Sequence, residues 1–273
     1  MRKPSERRRL VLALEAGASD PPGLLAAAVG AAAGLRADLE ALLVEDENIL
    51  NAAQLPDTWL VPTHGASTKV FDTMTIRRAF SVRSADVRRQ LADHADARAL
   101  RWSFKIESGF LGDCLAEVAT DTEMVILCHA RRRGPTGRDG LPEVLRRLPA
   151  SLFLYNRNAQ VGDRVVALYT GEVTVLSAAR ALSAGIELPL EVLVLADNVE
   201  TLESRAADAE TWLAKQGLVT TTGGILVDDD NAWVKRLKDS RPATFVCAAG
   251  SARISESALA DLADAKSVMI VRG

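Results

Sequence analysis

Val125-Ile-Leu-Cys-His-Ala-Arg-Arg-Arg-Gly-Pro-Thr-Gly-Arg-Asp-Gly-Leu141 runs from an apolar segment straight into a loop of arginine and glycine. A short, continuously apolar segment is typical of a parallel strand that is covered on both faces of its sheet. Glycine-rich turns after such strands are common phosphate sites, because main-chain N–H groups can approach an anion there. The stretch predicts an α/β fold and a candidate anion site at its carboxyl end.

Apolar segments of the same kind recur along the chain and alternate with helical stripes. In one such stripe, Leu111 to Val118, the apolar residues fall at i, i+3, i+4 and i+7. Leu100–Glu107 instead alternates apolar and polar residues, which predicts a half-exposed edge strand, and Val219–Val227 holds the same place in the second half. The predicted buried strands are Leu10–Leu14, Leu39–Val44, Met124–Cys128, Ser151–Tyr155, Arg164–Tyr169, Leu190–Ala196, Thr244–Ala248 and Ser267–Val271.

This alternation of strand and helix occurs twice. It predicts two tandem doubly wound, Rossmann-like domains with five-stranded parallel sheets. The predicted domains are residues 1–157 and 162–273, and the first carries an insertion at about residues 54–84. That insertion is either an ordered lid or contact surface, or a variable surface insertion.

Composition and charge exclude several classes of function. With a net charge of −3, the chain has no general attraction for nucleic acid or for an acidic membrane. No segment approaches the roughly 18 consecutive apolar residues of a membrane span, and Leu10–Leu14 is too short for a signal peptide. Cys114, Cys128 and Cys247 are widely spaced in apolar surroundings, which predicts reduced core residues. We therefore expect a cytoplasmic protein.

Taken together, the chain resembles a tandem universal stress protein, with two copies of the domain in one polypeptide. The resemblance spans nearly the whole sequence and implies that both domains have the adenine nucleotide alpha hydrolase-like fold. It also implies an internal pseudo-dimer whose two copies pack about their last strands, and it leaves a further homodimer open. It rests on Leu10-Val-Leu-Ala-Leu-Glu-Ala-Gly17, Leu39-Glu-Ala-Leu-Leu-Val-Glu-Asp46, Trp102-Ser-Phe-Lys-Ile-Glu-Ser-Gly109, Met124-Val-Ile-Leu-Cys128, Val144-Leu-Arg-Arg147, Val165-Val-Ala-Leu-Tyr-Thr-Gly171 and Leu190-Glu-Val-Leu-Val-Leu-Ala-Asp197.

The resemblance also shows where the sequence departs from the ATP-binding branch of that family. Those proteins are expected to carry an Asp after the first strand and a G-x-x-G-x9-G-[ST] segment after the fourth. Here Glu15 stands at the Asp position, and Cys128 and Arg131 stand at the first two glycines. In the second half Thr170 replaces the Asp, and Ser251 is predicted to cap the following helix. The resemblance therefore implies a degenerate nucleotide-binding site.

Two interpretations of the arginine loop stay open. Its guanidinium groups could bind phosphate in place of main-chain amides, or they are solvated charges on a surface loop. His129 is likewise either a ligand contact or a capped or solvated side chain. The residues that would line a ligand crevice are Glu15, Val44, Cys128, His129, Arg131, Arg132, Gly134 and Gly137.

Other chemistry finds no support in the sequence. The motifs of dinucleotide sites, P-loops, zinc proteases and serine hydrolases are absent, and His64, His94 and His129 lack metal-ligand spacing. Asp228–Asp230 and Glu45–Glu47 are predicted to cap helices rather than to bind a cation. We therefore predict no catalytic residue and no metal ligand, and weak ATP hydrolysis is the most that an enzymatic role would include.

The sequence thus predicts a non-catalytic, stress-associated regulatory or protective protein. It would act through protein contacts or an unidentified small ligand, without nucleic acid or membrane as a partner. The alternative is an ATP- or AMP-binding universal stress protein that uses the modified first-half crevice. No other cofactor is predicted.

Overall fold

The fold is taken from a computed structural model that describes residues 8–21, 23–55, 59–60, 69–70, 72–119, 121–129, 149–159, 162–227, 232–251 and 254–272. The strands are β1 (Arg9–Glu15), β2 (Asp38–Asp46), β3 (Trp59–Leu60), β4 (Lys69–Val70), β5 (Trp102–Gly109), β6 (Met124–His129), β7 (Ser151–Asn156), β8 (Val165–Tyr169), β9 (Leu190–Ala196), β10 (Thr221–Leu226), β11 (Thr244–Ala248) and β12 (Ser267–Val271). The helices are α1 (Leu24–Leu35), α2 (Glu47–Ala52), α3 (Thr73–Asp96), α4 (Leu111–Ala119), α5 (Val173–Ile186), α6 (Val199–Lys215), α7 (Ala232–Asp239) and α8 (Glu256–Ala263).

A single ten-stranded sheet crosses the molecule in the order β10-β9-β8-β11-β12-β7-β6-β1-β2-β5. The two predicted groups of five strands are thus parts of one continuous sheet. Neighbouring strands are parallel within each group of five, and the groups join where β7 and β12 pair antiparallel. The same strand order, with the first strand of each half in the centre of its group, occurs on both sides of that junction.

The predicted strands match the observed ones closely because their apolar runs are buried on both faces. The edge strands β5 and β10 are also confirmed. In β5, Trp102 and Phe104 pack against the core while Ser103 is exposed, as alternation requires. Ile106 departs from the pattern with 47% of its surface exposed, since it lies beyond the part of this edge strand that the core covers.

Two layers of helices cover the sheet. One apolar cluster packs α1, α3, α5 and α6 on one face, and a second packs α4, α7 and α8 on the other. Strand residues alternate between the clusters: Leu10, Leu12 and Leu14 belong to the first, and Val11 and Ala13 to the second. We call these the α1 face and the α4 face.

The predicted insertion at about residues 54–84 overlaps the start of a long helix. Helix α3 already begins at Thr73, where Asp72 caps it by accepting a hydrogen bond from the main-chain N–H of Thr75 at 2.8 Å. Phe80 of this helix is buried in the α1-face core. Residues 73–84 therefore belong to a crossover helix, and the strands β3 and β4 form a short antiparallel pair before it.

Of the predicted helix caps, the one after β2 is confirmed and the one after β11 is wrong. Asp46 caps α2 through the N–H of Asn48 at 2.8 Å. Ser251, however, does not cap α8; Ser255 does, by accepting from the N–H of Ala258 at 3.1 Å. Gly250 adopts φ 69°, so the chain turns after β11 and does not enter the helix directly. The predicted cap at Asp228–Asp230 lies outside the described residues.

Helices α1 and α5 cross at unusually close range over the junction. A Cβ atom on Gly34 would overlap the carbonyl oxygen of Ala181, and one on Gly185 would overlap that of Gly30. Only glycine lets the two backbones approach this closely. The contact joins the two halves of the chain on the α1 face.

Replacing Gly34 with valine should therefore destabilise the whole protein. Because the obstacle is rigid backbone, we expect a loss of about 2–3 kcal/mol in the free energy of unfolding. Ala26→Val, at an exposed position of the same helix, should cost less than about 1 kcal/mol. Urea denaturation of both variants measures the difference, and equal losses would mean that the helix crossing is not constrained.

Candidate functional site

A doubly wound sheet forms its ligand crevice at the carboxyl edge, between the two strands where the strand order reverses. In the first half these strands are β1 and β6, and in the second they are β8 and β11. Because the groups are antiparallel to each other, the two carboxyl edges lie at opposite ends of the sheet. We call them the first and second crevices.

Three of the predicted site residues lie side by side at the first crevice. Glu15 is paired with Val44 in the β1–β2 register. Ala13 is paired with Leu127, so His129, two residues further along β6, falls in the row of Glu15. By strand alternation all three belong to the α4 face.

His129 is engaged by the second half of the chain. Its Nε2 lies 2.9 Å from Oδ1 of Asp264, the residue that follows α8. The two side chains are 15% and 26% exposed. Of the two roles predicted for His129, the geometry shows a side chain with a protein partner.

Cys128 lies on the opposite face from Glu15, Val44 and His129. It packs against the α1-face core and is only partly buried. The structure therefore separates the predicted crevice residues into two sets. Arg131, Arg132, Gly134 and Gly137 lie outside the described residues.

The α1 side of the first crevice carries charged residues that the sequence analysis missed. Arg83 of α3 forms an ion pair with Asp20, in the loop after β1. Arg157, just past β7, donates hydrogen bonds to the carbonyl and hydroxyl oxygens of Ser19. The guanidinium groups of Arg83 and Arg157 thus both bind the loop that follows β1. In the sequence, only the acidic residue Asp20 could have indicated this cluster, because neither arginine belongs to a motif.

Burial dominates the electrostatics of this region. It raises the pKa of Asp20, although the neighbouring Arg83 and Arg157 act in the opposite direction. It also raises the pKa of the Cys128 thiol, which Arg157 opposes and the carboxylates of Asp20 and Glu15 reinforce. Cys128 therefore stays a protonated thiol at neutral pH and is a poor nucleophile.

Side chains at the second crevice make hydrogen bonds with one another. Thr170, 5% exposed at the end of β8, donates a hydrogen bond to the carboxylate of Glu172. It also accepts one from the hydroxyl of Ser251 at 3.2 Å. Nearby, Arg205 holds the carbonyl oxygen of Leu195 at 2.7 Å. The position that carries an acid in the resembled family is occupied here by a buried hydroxyl.

The described residues contain neither a cluster of metal-ligating side chains nor a membrane-spanning helix. Within the described ranges, no group of three or more His, Cys, Asp or Glu side chains is arranged to hold a metal ion. His94 is exposed on α3, and His64 falls outside those ranges. None of the described helices is long and apolar enough to cross a bilayer.

The fold is similar to that of solved universal stress proteins. A universal stress protein from Archaeoglobus fulgidus DSM 4304 aligns with a TM-score of 0.60 at 12% identity, over 96% of this chain and 98% of that one. A putative universal stress protein from Pseudomonas aeruginosa UCBPP-PA14 gives 0.54 at 15% identity, over 97% and 93%. A functionally unknown protein from Pseudomonas aeruginosa PAO1 gives 0.55 at 14% identity, over 97% and 92%.

The likeness establishes the class of fold: α/β, with a mostly parallel sheet of the universal stress protein type. No family model matches the sequence, and no curated protein matches it either. The likeness therefore shows the fold and does not extend to the function.

The thiols give a direct test of this geometry. Burial raises the pKa of the fully buried Cys247 to about 12. At neutral pH we expect slow alkylation of all three cysteines, since a raised pKa keeps each thiol protonated. As pH rises, Cys128 should react first, because it is the least buried of the three. Mass spectrometry of iodoacetamide-treated protein measures the order, with urea-unfolded protein as the control. Native Cys247 reacting as fast as Cys128 would contradict the predicted order.

Proposed function

We propose that this chain is a tandem universal-stress-type protein that acts without catalysis, in regulation or protection, by binding a partner or a small ligand. Its two domains would be residues 1–157 and 162–273. The repeated strand order on either side of the β7–β12 junction supports this division. So does the alignment of nearly the whole chain with universal stress proteins of similar length.

One observation carries the non-catalytic proposal: polar side chains at both crevices are paired with one another. His129 is held by Asp264 in the first, and Thr170 by Glu172 and Ser251 in the second. A general base or a nucleophile must be able to reach a reacting atom of the substrate. These groups instead complete hydrogen bonds inside the protein, which suits binding and structure better than turnover.

The second candidate function is ATP or AMP binding in the first crevice. Arg83 and Arg157 favour it, because they place two guanidinium groups beside the loop after β1, and guanidinium groups bind phosphate well. Both arginines already have protein partners, however, and a nucleotide would have to displace Asp20 or Ser19. We therefore rank this function second.

A cytoplasmic location forms part of the proposal. All three cysteines are free, and Cys114 and Cys247 are buried. A reduced thiol set of this kind suits a reducing compartment.

Nucleotide binding separates the two candidate functions. We expect no rise in melting temperature with millimolar ATP, ADP or AMP, and no phosphate release from ATP. A ligand at 100 times its Kd would stabilise the folded state by about 2.7 kcal/mol, which a thermal melt detects readily.

The matched variants are Arg131→Ala combined with Arg132→Ala, and Arg88→Ala at an exposed position of α3. A nucleotide-induced rise that the double variant abolishes and the Arg88 variant keeps would contradict the expectation that no nucleotide binds. It would establish the second candidate in its place.

A further inference from the structure

Helices α3 and α6 lie at opposite ends of the same face of the sheet. The first connects β2 to β5 and the second connects β9 to β10, so each packs beside an edge strand. Their inner sides are buried in the α1-face core, through Phe80, Val87 and Leu91 of α3 and through Ala209 and Leu213 of α6. The outer side of each helix is therefore left to face solvent or a partner.

The outer side of α3 carries a basic and apolar row of side chains. Successive members are three and four residues apart, so they share one side of the helix. All of them are exposed, and they also line a groove of about 770 Å³. We call this row the α3 stripe, and its members are Thr75, Arg78, Val82, Ala85 and Arg89.

The charge of the α3 stripe is positive. Arg78 and its exposed neighbour Arg77 form no ion pair with the described part of the chain. Arg89 does pair with Asp86, the one acid of the helix up to that point. The acids of the last two turns of α3 lie beyond the stripe. A positive surplus therefore remains after the existing ion pair is counted.

The outer side of α6 repeats the same spacing with acids. Its row also has five members at intervals of three and four residues, and all of them are exposed. The three glutamates of the row form no ion pair within the described ranges. We call this row the α6 stripe, and its members are Glu200, Glu203, Ala207, Glu210 and Ala214.

Placed antiparallel, the two stripes are complementary in charge and size. Alternating intervals of three and four residues are the spacing with which two helices pack side by side. A parallel arrangement would oppose Arg89 to an alanine and so match one charge pair fewer. In the antiparallel arrangement the central opposed pairs are Arg78 with Glu210, Val82 with Ala207, and Arg89 with Glu200.

We propose that the α3 stripe docks against the α6 stripe of a second copy of this chain. The two stripes of one copy lie at opposite ends of its sheet, so they do not meet each other. A twofold axis between two α1 faces places the α3 of each copy on the α6 of its partner. The contact is then made twice, which adds to the buried area that a stable dimer needs.

This twofold arrangement also produces the antiparallel direction. In a strand–helix–strand unit the crossover helix runs against its strands, so α3 and α6 each run against their own group. Because the two groups are antiparallel, α3 and α6 are antiparallel within one copy. An axis along the strands preserves these directions in the partner. The inferred surface lies outside both crevices and does not depend on the proposed function.

Sedimentation velocity of the whole chain measures the association. We expect a dimer at about 0.1 M salt and a shift toward monomer at about 1 M, because the screening length falls from about 10 Å to about 3 Å.

Charge reversal locates the contact. Arg78→Glu and Glu210→Arg should each weaken the dimer by at least about tenfold, because like charges then face each other at both contacts. Arg236→Glu is the matched control: it lies at an exposed position of α7, on the α4 face, and should leave the dimer unchanged. Circular dichroism confirms that each variant is folded.

A mixture of the two stripe variants tests the pairing itself. In a mixed dimer of Arg78→Glu with Glu210→Arg, one contact carries both substitutions and the other carries neither. Both contacts then oppose unlike charges, so the mixture should dimerise like the unmodified protein although each variant alone does not.

Three results would overturn the proposal. The first is an unmodified protein that stays monomeric in low salt at the highest soluble concentration. The second is a dimer that folded Arg78→Glu protein retains at full strength, since the copies would then associate through another surface. The third is a mixture of the two variants that stays monomeric.

Discussion

The antiparallel pairing of β7 with β12 is the contact on which the rest of the molecule depends. Leu152 to Leu154 face Ile270 to Val268 in register, and all are buried. Asn156 ends the ladder, and its side chain is buried. Its amide nitrogen donates a hydrogen bond to the carbonyl oxygen of Ala263 at 2.5 Å, and its amide oxygen accepts hydrogen bonds from the main-chain N–H groups of Asn158 and Ala159. Leaving such a group unpaired costs about 1–3 kcal/mol, so the polar contact favours one register of the junction. That register also brings α1 so close to α5 that only glycine fits at Gly34 and Gly185.

The antiparallel direction of this pairing decides which residues of the second half lie beside the first crevice. Since the two groups of strands run in opposite directions, the carboxyl edge of one group lies beside the amino edge of the other. His129 consequently finds its partner in Asp264 of the second half. This contact crosses between the two halves and does not exist within either one.

The sequence predicted strands far better than sites. Near-continuous apolar runs such as Thr244–Ala248 suit a strand that is buried on both faces, and this segment is β11 to the residue, with all five residues buried. Helix caps were harder, because Ser251 and Ser255 both precede a helical pattern and only the turn at Gly250 separates them. The ion pair of Asp20 and Arg83 could not be predicted, because the two residues are 63 positions apart in the sequence and only the packing of α3 brings them together.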